Sequence, residues 1–154
     1  MSLQLSTRGR YGVRAVCRVA CLYEEGPVSI QTIARKEKIP TRYLEQIMTR
    51  LRREGILEST RGPGGGYTLS RSPDQISLWE IIRILEGNVP VVWCTDEDRE
   101  DHCSREQTCM TRSLWVALSR AIQRMLSNIT MQDLIDGKTN DIDFEMMLNN
   151  RSGE

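Results

Sequence analysis

The 154-residue chain is 39% apolar and 27% charged, a balance that supports one domain of ordinary size and excludes a disordered chain. Its 21 Lys/Arg and 21 Asp/Glu cancel, but residues 1–71 hold 13 basic against 6 acidic side chains and residues 72–154 hold 8 against 15. A basic front half points to a polyanionic partner and an acidic rear to a different task. Arg8, Arg10, Arg14 and Arg18 interrupt the first apolar stretch, so no leader is expected, and no run of about 18 apolar residues offers a membrane span. Five cysteines are therefore expected in a reducing cytoplasm, as ligands or core fillers rather than disulfides.

Residues 7–24 carry Val13, Val16, Cys17, Ala20 and Cys21 at helical spacing, which predicts a first helix with that stripe inward, ended by Gly26-Pro27. Ser29 caps a short second helix with Ile30, Ile33 and Ala34 inward. After a turn at Ile39-Pro40-Thr41, a third helix runs to Glu54, buries Leu44, Ile47, Met48 and Leu51, and stops at Gly55. Its other face shows Arg42, Tyr43, Gln46, Arg50 and Arg53, long groups suited to base edges and phosphates. As the second helix of a tight helix–turn–helix, it stands where a recognition helix stands.

Two short strands are predicted over 56–60 and 67–70, joined by Arg61-Gly62-Pro63-Gly64-Gly65-Gly66. No Gly-Lys-Ser/Thr is present and no helix follows the glycines, so this is not a nucleotide-binding loop. It reads as a hairpin wing: Gly62 and Gly64 let the backbone pass close to another surface, and Arg61 suits the negative potential of a narrow minor groove. Ser77 and Glu80 form a capping box for a helix through Glu86, broken by Gly87-Asn88. A long helix later in the chain carries Leu114, Ala117, Leu118, Ala121, Ile122, Met125 and Leu126 on one stripe. So apolar a helix so late in a short chain predicts a two-fold dimer seam. Thr130 opens a last short helix.

Between the capped helix and the long helix lies a polar loop, 89–109, with Cys94, Cys103 and Cys109 spaced C-x8-C-x5-C. Structural zinc favours closer pairs and four ligands, whereas iron–sulfur clusters accept looser loops. Spacing leaves three readings open: a cluster held by Cys94, Cys103 and Cys109, thiol redox sensing, or zinc. Cys17 and Cys21, on the apolar stripe, read as core packing. With one histidine, His102, and no nucleophile–base constellation, an enzyme is not expected.

RYLEQIMTRLRREGIL followed by RGPGGGY, with the opening LSTRGRYGVRA and the later SLWVALSRAIQRMLSNITMQDL, resembles the IscR-like winged helix–turn–helix transcription regulators, the group that includes IscR, NsrR and CymR. The resemblance runs from about residue 3 to 131. It implies a mainly α fold with a small β-hairpin wing and a long C-terminal dimerisation helix, and a homodimer on palindromic double-stranded DNA. It implies that Tyr43, Glu45 and Gln46 match recognition-helix contacts, that Arg42 holds a contact position with a changed residue type, and that Arg61 is the wing arginine. Glu45 repels phosphate but accepts from cytosine N4–H2, which makes it a selector, while a surface pairing with a neighbouring arginine explains it equally. The resemblance also implies a cluster, 2Fe-2S in preference to 4Fe-4S, on Cys94, Cys103 and Cys109. Two departures leave the fourth ligand open. Arg112 stands where cluster-bearing relatives have histidine, and Arg10 stands where others lend a ligand from the partner's first helix; neither can bind metal. His102, Asp96, Glu97, Asp98, Asp101 and Glu106 are the remaining candidates.

The expected organisation is a DNA-binding domain over 1–87, a cluster-binding loop over 88–110, a dimerisation helix and short final helix over 111–137, and a polar tail over 138–154. The function expected is control of iron–sulfur assembly genes by cluster status. The alternative is a cluster-free dimeric repressor switched by thiol oxidation, a small molecule or a partner enzyme.

Overall fold

The computed structural model describes residues 5–138; most of the expected polar tail lies outside the described residues. Three helices open the chain: α1 (Thr7–Cys21), α2 (Ile30–Glu37) and α3 (Thr41–Arg53). Ser6 caps α1 by accepting from the Arg8 and Gly9 N–H groups, and Ser29 caps α2 by accepting from Thr32 at 3.1 Å. Lys38, in the left-handed region at φ 54°, closes α2 and turns the chain into α3.

The inward face of α1 differs from the expected stripe. Gly9, Gly12, Ala15, Val16, Val19 and Ala20 are buried, Val13 and Cys17 lie at the edge of the core, and Cys21 is exposed. The face is rotated toward the small residues because α4 (Leu78–Glu86) packs directly on them. A methyl group at Gly12 would run into Leu85 Cδ1. Core packing therefore accounts for Cys17 but not for Cys21.

Strands β1 (Leu57–Thr60) and β2 (Gly66–Leu69) form an antiparallel hairpin with Leu57 opposite Leu69 and Thr60 opposite Gly66. A bridge between Val28 and Tyr67 fastens the hairpin to the start of the helix–turn–helix, with N–H···O distances of 2.9 Å in both directions. Gly66, at φ 159°, lies against the Val28 backbone so closely that no side chain fits. The fold is thus mainly α with one two-stranded wing, as expected.

The capping box at the head of α4 is formed: the Ser77 hydroxyl accepts from Glu80 N–H, and the Glu80 carboxylate accepts from Ser77 N–H at 2.9 Å. After a loop with one 3-10 turn at Trp93–Thr95 comes α5 (Arg112–Asn128), then α6 (Met131–Ile135), which has its own box between Thr130 and Asp133. Sequence division grouped α6 with the dimerisation helix. Structurally it packs on α1 and on the turn at Pro73–Gln75, and Met131 is fully buried in the same core as Leu44, Ile47 and Ile81. No residue of α5 is buried; Leu114 is 51% exposed and Leu118 40%. No helix among the described residues is long and apolar enough to cross a membrane.

Candidate nucleic-acid interface and cysteine loop

Burial of Leu44, Ile47, Met48 and Leu51 fixes the rotation of α3 and leaves Arg42, Glu45, Gln46 and Arg50 exposed. Those four line one shallow groove with Thr49, Arg53 and Glu54. Of the expected recognition face, Arg42, Gln46, Arg50 and Arg53 share this groove, with cations at both ends and the amide of Gln46 between. Tyr43 stands apart from the groove. It is half-buried against the core, and its ring meets Tyr11 of α1 edge-on, with centroids 6.0 Å apart and planes at 75°. The Arg14 guanidinium lies over Tyr11 at 5.6 Å from the ring centre. This stack sets the direction of Tyr43, so only part of its side chain is available outside.

A second cleft brings Tyr43, Gln46, Ile47 and Arg50 together with Ser6, Thr7 and Arg8 from the start of α1. Sequence reading missed these last three. Nothing local marks them, since their place beside α3 depends on how α1 packs. The basic front half is also smaller in effect than its count. Arg14 and Arg18 both pair with Glu37, at 3.3 and 2.8 Å, and Arg14 also reaches the Glu37 carbonyl. They clamp the carboxyl end of α2 to α1, where cations suit the helix dipole. The Arg71 guanidinium pairs with Glu80 and donates to the Gln75 carbonyl at 3.2 Å.

At the wing tip Arg61, Gly62 and Gly64 are exposed. Gly62 at φ 95° and Gly64 at φ 75° occupy the left-handed region, and a side chain on either would meet only open space. Glycine is needed there for backbone conformation, and the open face permits close approach by another backbone.

The loop after α4 is tied down at several points. Val91 N–H donates to Ser119 Oγ of α5 at 3.0 Å, and Arg83 of α4 pairs with Asp98 at 3.4 Å. Arg99 covers the Trp93 ring at 5.3 Å. Cys94 lies in the 3-10 turn, and Cys94, Cys103 and Cys109 are all half-buried free thiols. A hydrogen bond with Thr111, 3.5 Å between Sγ and Oγ1, lowers the Cys109 thiol below its ordinary value, helped by the positive charge of Arg105.

The other ligand candidates are arranged around Glu106. Its carboxylate pairs with Arg112 and with His102, the latter at 3.5 Å. His102 is 81% exposed in its side chain, and Arg112 keeps one buried nitrogen, Nη1, without a partner. Among the described residues no three His, Cys, Asp or Glu side chains are gathered closely enough to hold a metal ion. The donor chemistry suits a cluster, but the three thiols do not form a ready-made site in the single chain.

The family model described as "Iron-dependent Transcriptional regulator", Rrf2, matches residues 5–137. The regulator IscR of Pectobacterium carotovorum is 38% identical over 136 residues, covering 88% of this chain and 81% of that one. A helix–turn–helix-type transcriptional regulator of Haemophilus influenzae is 37% identical over 134 residues, 87% of each chain. Among solved structures, CymR of B. subtilis, titled the global cysteine regulator, matches with a TM-score of 0.72 and 36% identity over 88% of this chain and 98% of its own. IscR of T. potens matches with a TM-score of 0.71 and 34% identity over 90% of both chains.

Proposed function

The chain belongs to the Rrf2 family of transcriptional regulators, and on that premise we propose that it works in the cytoplasm as a homodimer on palindromic double-stranded DNA, with its cysteine loop as the sensor. The observation that carries the DNA-binding part is the continuous groove of Arg42, Glu45, Gln46 and Arg50 on the exposed face of α3. A helix of this kind enters the major groove. There Gln46 reads a base edge, Glu45 selects for cytosine, and Arg42 and Arg50 neutralise flanking phosphates. The wing reaches the neighbouring minor groove with Arg61, and Gly62 and Gly64 keep its tip thin. The dimer forms through α5, whose stripe of Leu114, Leu118, Ile122 and Met125 is nowhere buried in the single chain, with Leu114 and Leu118 exposed and Ile122 and Met125 half-buried.

Cys94, Cys103 and Cys109 are assigned to an iron–sulfur cluster, 2Fe-2S before 4Fe-4S, and the regulated genes to iron–sulfur assembly. Three thiols in one loop and the similarity to proteins named IscR support this. A cluster supplies redox and oxygen sensitivity when bound. Thr111 and Arg105 favour the thiolate of Cys109, and Arg112 of α5 anchors the loop through Glu106.

A second reading is a cluster-free regulator switched by thiol chemistry, a small molecule or a partner enzyme. It is favoured by the separation of the three thiols and by the equal likeness to CymR. Absorption and iron content of protein purified without oxygen separate the two. Red-brown protein that loses iron on Cys94→Ala, Cys103→Ala or Cys109→Ala, but not on Cys17→Ala, supports the cluster. Colourless, iron-free protein supports the second reading. An operator duplex for either is obtained by selection from a random library.

A further inference from the structure

Neither base reading nor sensing explains how the start of α1 is held. The Ser6 hydroxyl accepts from Arg8 N–H at 3.1 Å and Gly9 N–H at 3.3 Å, and donates to a Glu86 carboxylate oxygen. Its one donor and two acceptor sites are thus all in use. The other Glu86 oxygen accepts from Ser6 N–H at 3.4 Å. Glu86 is the last residue of α4 and lies 80 residues from Ser6 in sequence. Gly9 makes the room: a Cβ there would sit 2.5 Å from Glu86 Oε1. The carboxylate also lies at the positive end of the α1 dipole. This same first turn, through Ser6, Thr7 and Arg8, borders Tyr43, Gln46 and Arg50 in one cleft.

We propose that Glu86 is a positioning residue for DNA binding: by holding Ser6 it fixes the first turn of α1, with Arg8, against Tyr43, Gln46 and Arg50. Glu86 itself does not touch DNA. The proposal rests on the DNA-binding reading above and adds to it a residue outside the helix–turn–helix and wing. Charge and position make opposite demands here. As a mere surface carboxylate near phosphate, Glu86 would oppose binding, and its removal would strengthen affinity. As a positioning group, its removal weakens affinity although a negative charge is lost.

The test is fluorescence anisotropy on the selected operator duplex, at fixed salt, with folding checked by circular dichroism. Glu86→Ala is expected to bind about tenfold more weakly, the equivalent of about 1.4 kcal/mol. Glu86→Gln, which keeps an oxygen able to accept from Ser6, is expected to recover most of that loss. Gly9→Ala, which displaces the carboxylate, is expected to weaken binding similarly, with no further loss when combined with Glu86→Ala. Glu86→Ala protein that binds as tightly as wild type or tighter overturns the proposal, as does failure of Glu86→Gln to recover affinity. Wild-type protein that binds no duplex would instead count against the DNA-binding reading itself.

Discussion

Gln46 lies where the two clefts around α3 meet, exposed, with cationic side chains on both sides. An amide in that place can read a base edge bidentately, and losing a good pair costs about 1–3 kcal/mol of discrimination. Gln46→Ala should therefore lose about that much on the selected operator and little on random duplex; equal losses on both would remove it as a base reader. At the same scale the cysteines divide by environment. Burial, with the nearby Cys21 and Glu37, pushes the Cys17 thiol up to about 11, whereas Cys21 is exposed. Iodoacetamide at mildly alkaline pH should label Cys21 readily and leave Cys17 until the chain unfolds. The raised value favours protonated, folded Cys17. Its contribution is complete below pH 9.0 and is lost as pH climbs toward about 11. A Cys17→Ser chain should therefore show a flatter decline of thermal midpoint across that window. Cys21 was misplaced in the sequence reading because Gly9 and Gly12 carry no apolar side chain to count, yet their smallness lets α4 in and sets the rotation of α1.

Elements whose signals are local were legible in advance. The Ser77–Glu80 box starts α4 where expected, and the period of Leu44, Ile47, Met48 and Leu51 fixes which side of α3 faces out. The docking of α6 was not legible, because five residues around Met131 say nothing of the cavity they fill. Nor was the contribution of Ser6, Thr7 and Arg8 beside α3, which exists only once α1 and α4 have packed. Two predictions belong to elements. Arg50, exposed on α3, is proposed as a phosphate contact, so Arg50→Ala should weaken operator and random duplex alike and reduce the slope of log affinity against log salt by about one. The α5 stripe is the proposed dimer seam, so Leu118→Glu with Ile122→Glu should give monomer by light scattering. An unchanged dimer would place the seam elsewhere. Burying each Leu is worth about 1.5–3 kcal/mol, and two copies of the stripe meet across a two-fold axis, so two buried charges per chain are more than enough to part them.

On the scale of the molecule, a basic front half is followed by an acidic rear, within which the loop is tied to α4 through Arg83 and to α5 through Ser119. The halves of the charge pattern were plain in the sequence. The internal use of Arg14, Arg18 and Arg71 was not, and it removes three cations from the charge that the proposed DNA-binding face can draw on. The three loop cysteines were likewise plain, but their separation in the folded chain was not, since a spacing motif records order along the chain and not distance.

Selection of bound duplexes from a random library by the intact protein, followed by sequencing, tests recognition, dimerisation and helix placement together. A two-fold symmetric dimer with α3 in successive major grooves predicts an enriched palindrome whose half-sites are centred about 10 base pairs, or a multiple of one helical turn, apart. No enriched sequence, or enrichment of a lone asymmetric site, would contradict it.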